Sequence, residues 1–424
     1  MKALLRPGGF GRQVGTTLAS QVAVLAFSLA TTAIVARVLG PAGKGILSLA
    51  VLAPAVLSLL LGGGMGIANV YFTGSGRLSV GTLSRNSVAF ALVGSALGLG
   101  IVATLAATQL IQILLPGVPR EIALLAMAIL PFGLLQSSLL AILQGRRQIG
   151  TVNAINFAQG ACTLLLIGLL VFWARLGLLG GVLAYLGGSL LAVLLVIHFL
   201  GRTGATFTPA FDRPVMRQTL HFGLRGYVAN VLQFFSYRLD VFLVNFYLGP
   251  AAVGIYGASV AVAELVWHLP NAIGFVIFPK AASTPADAMN RFTPRIFAMT
   301  LAISALAGCM MALAGRWLLD LVFGPAFVAA YRPLLLLLPG VILLGGGKVL
   351  TNEIAGRGYP QYNSIASAAG LIITIALDVL LIPRMGIDGA ALASTAAYSA
   401  TFVMAGLFYR RVSRRPTERL AGAR

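Results

Sequence analysis

Acidic residues are scarce in this chain. Ten Asp plus Glu stand among 424 residues, against thirty Lys plus Arg, and the four charged types together make up only 9%. Soluble domains carry roughly a quarter, so a water-soluble globular fold is excluded. Two cysteines and three histidines provide neither a disulfide framework nor a metal cluster, and Cys162 and Cys309 both sit inside apolar runs. No Walker A motif is present, because Lys348 precedes Val349 and Lys44 precedes Gly45, and the phosphate loop needs G-x-x-x-x-G-K-[ST]. ATP hydrolysis is thereby excluded. The lack of an Asp-x-Asp pair, a His-rich cluster or a long polar loop argues against a membrane transferase, polymerase or ligase, and no filter-like loop points to a channel. No catalytic residue, metal or cofactor is expected. The net charge of +20 has no polar, aromatic-studded domain to carry it, so nucleic acid is not an expected partner.

What the chain has in abundance is apolar residues, 58% of the total. Crossing a hydrocarbon layer of about 30 Å takes about 20 residues, and twelve runs qualify: 13–38, 46–72, 86–112, 121–143, 151–173, 178–200, 218–248, 252–279, 295–314, 331–354, 361–382 and 387–409. The first follows Lys2, Arg6 and Arg12 as a signal sequence would, but its apolar stretch is too long and no small-x-small site follows. It is read as a retained helix. With the N-terminus inside, twenty basic residues fall on the cytoplasmic side, seven on the opposite side, and Arg225, Arg238 and Lys348 inside spans. Positive residues concentrate in cytoplasmic loops, so both termini are expected in the cytoplasm.

The halves repeat one another. Leu39-Gly40-Pro41-Ala42 with Gly45-Ile46 recurs as Leu248-Gly249-Pro250-Ala251 with Gly254-Ile255, and Arg175-x-Gly177-x-x-Gly180 recurs as Arg384-x-Gly386-x-x-Gly389. Gly145-Arg146 matches Gly356-Arg357, followed by Asn153 and Asn363. Turn chemistry accounts for each Gly-Pro link alone, but not for the matched order. The expected architecture is all-α and integral to the membrane, with two six-helix lobes. These are an N-lobe at 1–200, a connector at 201–217, a C-lobe at 218–410 and a basic tail at 411–424. An even number of spans per half makes the repeats parallel, a pattern common among transporters with a midplane site.

Ionisable groups inside a span cost about 2.5–3.5 kcal/mol on insertion scales. The seventh span holds Arg225, Arg238 and Asp240. At 1.5 Å per residue, Asp240 and Arg238 lie about 12 and 15 Å from Leu248, near the midplane, while Arg225 equally suits an interfacial anchor. His221, Arg225, Gln233, Ser236 and Asp240 share one side, with Arg238 and Asn245 nearly opposite. The sequence fits either side facing a cavity. The next span places Glu264 and His268 at i,i+4 with Asn271 alongside. This set reads either as a proton- or cation-responsive group or as a carboxylate neutralising Arg238 or Arg225. Lys348 and Asn352 lie one turn apart beyond Pro339-Gly340 and Gly345-Gly346-Gly347. Glu353 and Arg357 read as a surface pair, and Asp378 as a structural group near the outer interface.

The order Arg238-x-Asp240, Leu248-Gly249-Pro250-x-x-x-Gly254-x-Tyr256, together with Ala36-Arg37-x-Leu39-Gly40-Pro41-x-x-x-Gly45, resembles the polysaccharide-exporter (O-antigen exporter) branch of the multidrug/oligosaccharidyl-lipid/polysaccharide (MOP) flippase superfamily. The resemblance implies a V-shaped bundle like that of the multidrug MATE transporters. It also implies residence in the bacterial inner membrane and export of polyprenyl-diphosphate-linked oligosaccharide, O-antigen or exopolysaccharide units, by alternating access. Membrane lipid and glycan polymerase or synthesis machinery are the partners it implies. Arg225, Arg238, Lys348 and Asn352 would then bind the diphosphate, with Asp240, Glu264, His268 and Asn271 as ion-coupling or cavity groups. A cation-coupled drug antiporter of the same superfamily and a non-transporting scaffold of a glycan-synthesis complex are the alternatives. The antiporter would be expected to carry an acidic group in the first span, where this chain has none.

Overall fold

The computed structural model describes residues 7–414, with side chains described from residue 20 onward apart from Arg225 and five positions within 275–283. Residues 415–424 of the expected basic tail therefore lie outside the described residues, as does the Arg225 side chain. Every regular element among the described residues is a helix. Among the described residues, ten helices are long and apolar enough to cross a membrane. One of them is the stretch Ser20–Leu61 of the helix Pro7–Leu61, and its 42 residues reach about 63 Å at 1.5 Å per residue. That is twice a bilayer core, and it is divided at Gly40, whose φ of 68° and ψ of −175° leave the helical region just before Pro41. The helix Arg213–Leu248 spans 36 residues and stands apart from the ten because of its polar groups. The split first helix and this one restore the twelve spans read from hydropathy.

The chain forms two compact units. The first comprises Met1–Val228 with Gly249–Gly254, and the second Ala229–Leu248 with Ile255–Arg424. In the first, Leu139, Ile142, Leu143, Val196 and Leu200 pack with Phe72 and Leu83, and a second cluster gathers Val35, Leu47, Ile167 and Val182. In the second unit Ile277, Met289 and Val349 form a core of their own.

The sequence repeat has a backbone counterpart. Gly40 and Gly249 both adopt positive φ, 68° and 81°, which L side chains avoid at a cost of roughly 1–2 kcal/mol. The amides of Arg146 and Gln148 donate to the carbonyls of Ile142 and Leu143, and those of Arg357 and Tyr359 donate to Glu353 and Ile354. These are two copies of one helix C-cap, in which the amide five positions along closes the last turn. The Gly-Pro segments also meet. A Cβ on Gly45 would overlap the Pro250 carbonyl, and one on Gly254 would overlap the Pro41 carbonyl. Lys44 Nζ donates to the Gly254 carbonyl at 3.1 Å across the same contact. Gly45→Val and Gly254→Val should each lower stability by more than about 2 kcal/mol through overpacking. Thermal unfolding of the purified protein in detergent tests this, and equal melting points for wild type and variants would contradict the contact.

Candidate substrate and ion site

Apart from His221 and Arg225, whose positions belong to the first unit, the polar groups expected inside the membrane belong to the second unit. Three stretches supply them: the later part of Arg213–Leu248, the run from Pro250 through His268–Ser283, and Tyr331–Gly356. The middle run is not a continuous α-helix. It tightens to a 3-10 turn at Glu264–Trp267, where Pro270 lacks the N–H that would have bonded the Val266 carbonyl. The tightened turn separates the roles of neighbouring polar residues.

Glu264 faces Arg238. The guanidinium meets both carboxylate oxygens, Nη1 to Oε1 at 2.8 Å and Nη2 to Oε2 at 3.0 Å. The fork geometry makes this a strong and directional pair. Its side chains keep 32% and 25% exposure, so the pair borders open space rather than the core. Of the two readings of Glu264, the geometry is that of the neutralising partner.

Past the 3-10 turn, His268 and Asn271 are exposed. Asn271 Oδ1 accepts from Lys348 Nζ at 2.8 Å, and the same ammonium lies 4.2 Å from the Trp267 ring centroid, a cation–π contact. The Lys348 carbonyl accepts from Asn352 Nδ2 at 2.7 Å, so Asn352 braces the backbone that carries the lysine. Trp267 is fixed in turn by donating Nε1–H to the Val341 carbonyl at 3.0 Å. Tyr237 and Tyr398 pack on it at centroid distances of 5.3 and 5.6 Å. His268 is within electrostatic reach of Glu264 and Lys348. Thus Arg238, Glu264, His268, Asn271, Lys348 and Asn352 belong to one neighbourhood. The aromatic group Tyr237, Trp267 and Tyr398 beneath it has no spacing signature in the sequence.

Asp240 lies elsewhere, in the core. Its carboxylate accepts from the Tyr256 hydroxyl at 2.6 Å, the Ser394 hydroxyl at 3.3 Å and the Val241 amide at 2.8 Å. Tyr256 belongs to the Gly254-x-Tyr256 motif, so that motif holds a buried acid. Asp378 is fully buried, and neither carboxylate oxygen has a hydrogen-bond partner. Thr374, one turn earlier, has an equally unpartnered hydroxyl, and Asp378 feels the charge of Asp240. The spacing of Thr374 and Asp378 at i,i+4 on Gln361–Met385 was a readable signal for this site. Asp378, expected as a structural group near the outer interface, is thus a fully buried one. The second unit thus holds two buried acids of opposite kind, Asp240 with three donors and Asp378 with none.

A correction concerns Glu353 and Arg357, expected as a surface pair. Glu353 is fully buried, its carboxylate bonds Arg357, and Arg357 Nη2 donates to Asn290 Oδ1 at 2.7 Å. The helix Ala286–Phe323 starts nine residues before its apolar run, and Asn290 in this polar extension bonds Arg357.

Residues 34–332, more than half of the chain, match the family described as polysaccharide biosynthesis protein. The chain belongs to that family. A probable low-salt glycan biosynthesis flippase, Agl15 of Haloferax volcanii, is 23% identical over 197 residues, 44% of this chain and 41% of that protein. The uncharacterized membrane protein MJ1068 of Methanocaldococcus jannaschii is 22% identical over 196 residues, 44% of this chain and 38% of its own length. The match thus spans about two fifths of each curated relative. Among solved structures, the lipid II flippase MurJ in an inward closed conformation superposes with a TM-score of 0.77 at 14% identity, covering 93% of this chain and 87% of MurJ. A multidrug MATE transporter of the MOP superfamily, in its inward-facing conformation, gives 0.71 at 14% identity over 92% and 94%. The family member therefore has the MOP fold expected from its motifs.

Removing the unpartnered carboxylate should relieve a desolvation cost of about 1–3 kcal/mol. Asp378→Leu is thus expected to raise the unfolding midpoint in sodium-free detergent. A lowered midpoint would mean that the carboxylate is satisfied.

Proposed function

We propose that this family member is a flippase that carries a polyprenyl-diphosphate-linked oligosaccharide across the bacterial inner membrane by alternating access of its duplicated bundles, 1–200 and 218–410, joined by 201–217. The observation that carries the reading is the half-open basic neighbourhood in the second unit, where Lys348 is held by one neutral amide and one aromatic face. An ammonium whose direct contacts are neutral has no bonded counter-ion to displace, and a diphosphate is an anion with many acceptor oxygens. Arg238, already paired with Glu264, serves as a switchable partner that a diphosphate competes for. His268, Asn271 and Asn352 complete the polar lining. Asp240 and Asp378 are the coupling site, taking up a proton or small cation in the turnover cycle. Membrane lipid is the medium and glycan polymerase the downstream partner, and both termini face the cytoplasm.

The test is reconstitution in liposomes with a fluorescent undecaprenyl-diphosphate oligosaccharide, reading its arrival in the opposite leaflet. Wild type is expected to flip it, and Lys348→Ala to lower the rate at least about tenfold, the loss of one charge-assisted contact. Asp378→Asn is expected to keep downhill flipping and lose the response to an imposed proton or sodium gradient. Wild-type transfer no faster than in protein-free liposomes would reject the flippase in favour of a scaffold.

A further inference from the structure

The stretch leading into Arg213–Leu248 forms a groove of about 420 Å³, lined by Phe211, Arg213, Met216, Arg217, Leu220 and His221. All six belong to the first unit. Arg213, Arg217 and His221 stand at i, i+4 and i+8, so they lie along one helix face about 6 Å apart. Like charges at this spacing repel. Neither arginine makes an ion pair or a hydrogen bond among the described residues. Asp212, the adjacent acid, is turned to the backbone, where its Oδ1 accepts from the Val215 amide at 3.2 Å.

The remaining wall is apolar, and Phe211 keeps 57% of its surface exposed. Beside the groove, Phe222 stacks on Tyr71 at 4.2 Å, and the Arg77 guanidinium lies over Tyr71 at 5.6 Å. Two uncompensated guanidinium forks next to an exposed apolar wall describe a receptor for an anionic amphiphile.

We infer that this groove docks the diphosphate head of a prenyl-linked lipid before it reaches the transport site, an inference that rests on the flippase reading and on a cytoplasmic 201–217. Guanidinium forks bind phosphate oxygens in pairs, and the first isoprene units cover Phe211 and Leu220. A soluble phosphate would leave the apolar wall wet. A zwitterionic head brings its own cation against the arginines.

Farnesyl diphosphate is the probe, titrated onto the full-length protein in phosphatidylcholine nanodiscs in a Lys348→Ala background, which weakens the transport-site contribution. Saturable binding is expected, weakened at least about tenfold by Arg213→Gln/Arg217→Gln, a loss of two charge-assisted contacts. Arg213→Lys/Arg217→Lys, which keeps the charge without the fork, should weaken it less. In the flipping assay with Lys348 intact, the double Gln variant should raise the half-saturating substrate concentration at an unchanged plateau, whereas Lys348→Ala lowers the plateau. Unchanged affinity in the double Gln variant would overturn the proposal. So would competition by phosphatidylglycerol as strong as that by undecaprenyl diphosphate, which would make the groove an ordinary anionic-lipid surface. If wild type flips nothing, the flippase reading fails, and the farnesyl diphosphate titration still decides the groove.

Discussion

The constraint that shapes the second unit is the cost of holding charge where water is excluded. Each ionised group there needs a local partner, and the fold supplies partners of different kinds. Arg238 has the two oxygens of Glu264, Asp240 has a tyrosine, a serine and a backbone amide, and Lys348 has an amide and an indole face. These solutions differ in how easily they are given up. Three neutral donors around a buried carboxylate are a fixed arrangement. An ion pair with a quarter to a third of its surface open exchanges partners readily, because screening lowers the cost of separating it.

Asp378 departs from this pattern. A buried acid with both oxygens bare is a strained state for the charged form. Anything that neutralises it, whether proton or cation, is bound with the energy that burial had cost. The helix Gln361–Met385 carries that strain through Thr374 and Asp378, while Arg213–Leu248 carries both Arg238 and Asp240. Two residues apart on one helix, Arg238 borders open space and Asp240 lies in the core.

Much of this was legible in the sequence because membrane insertion makes hydropathy a strict code. The twelve spans, the parallel repeat and the sparse intramembrane charges follow from runs and offsets alone. The pairing of Arg238 with Glu264 was within reach, since both lie at similar depth, although periodicity left its orientation open. What escaped was set by tertiary packing. Trp267 beneath Lys348 depends on the 3-10 turn that Pro270 enforces, and a regular helical wheel rotates that turn away. Glu353 looked exposed because its partner Arg357 is bonded from the polar extension of another helix, which hydropathy assigns to a loop. The groove at Arg213 and Arg217 was counted only as orientation charge.

The reciprocal contact of Gly45 with Pro250 and Gly254 with Pro41 bears on the history of the chain. After a gene doubles, its copies drift apart unless something ties them. Here each copy of the Gly-Pro segment is the mould against which the other is cast, so a side chain gained in one collides with the backbone of its twin. The ancestral half is therefore still readable at the segments where it touches its own duplicate, while the charge pattern around Asp240 and Lys348, which meets no such mirror, was free to become one-sided.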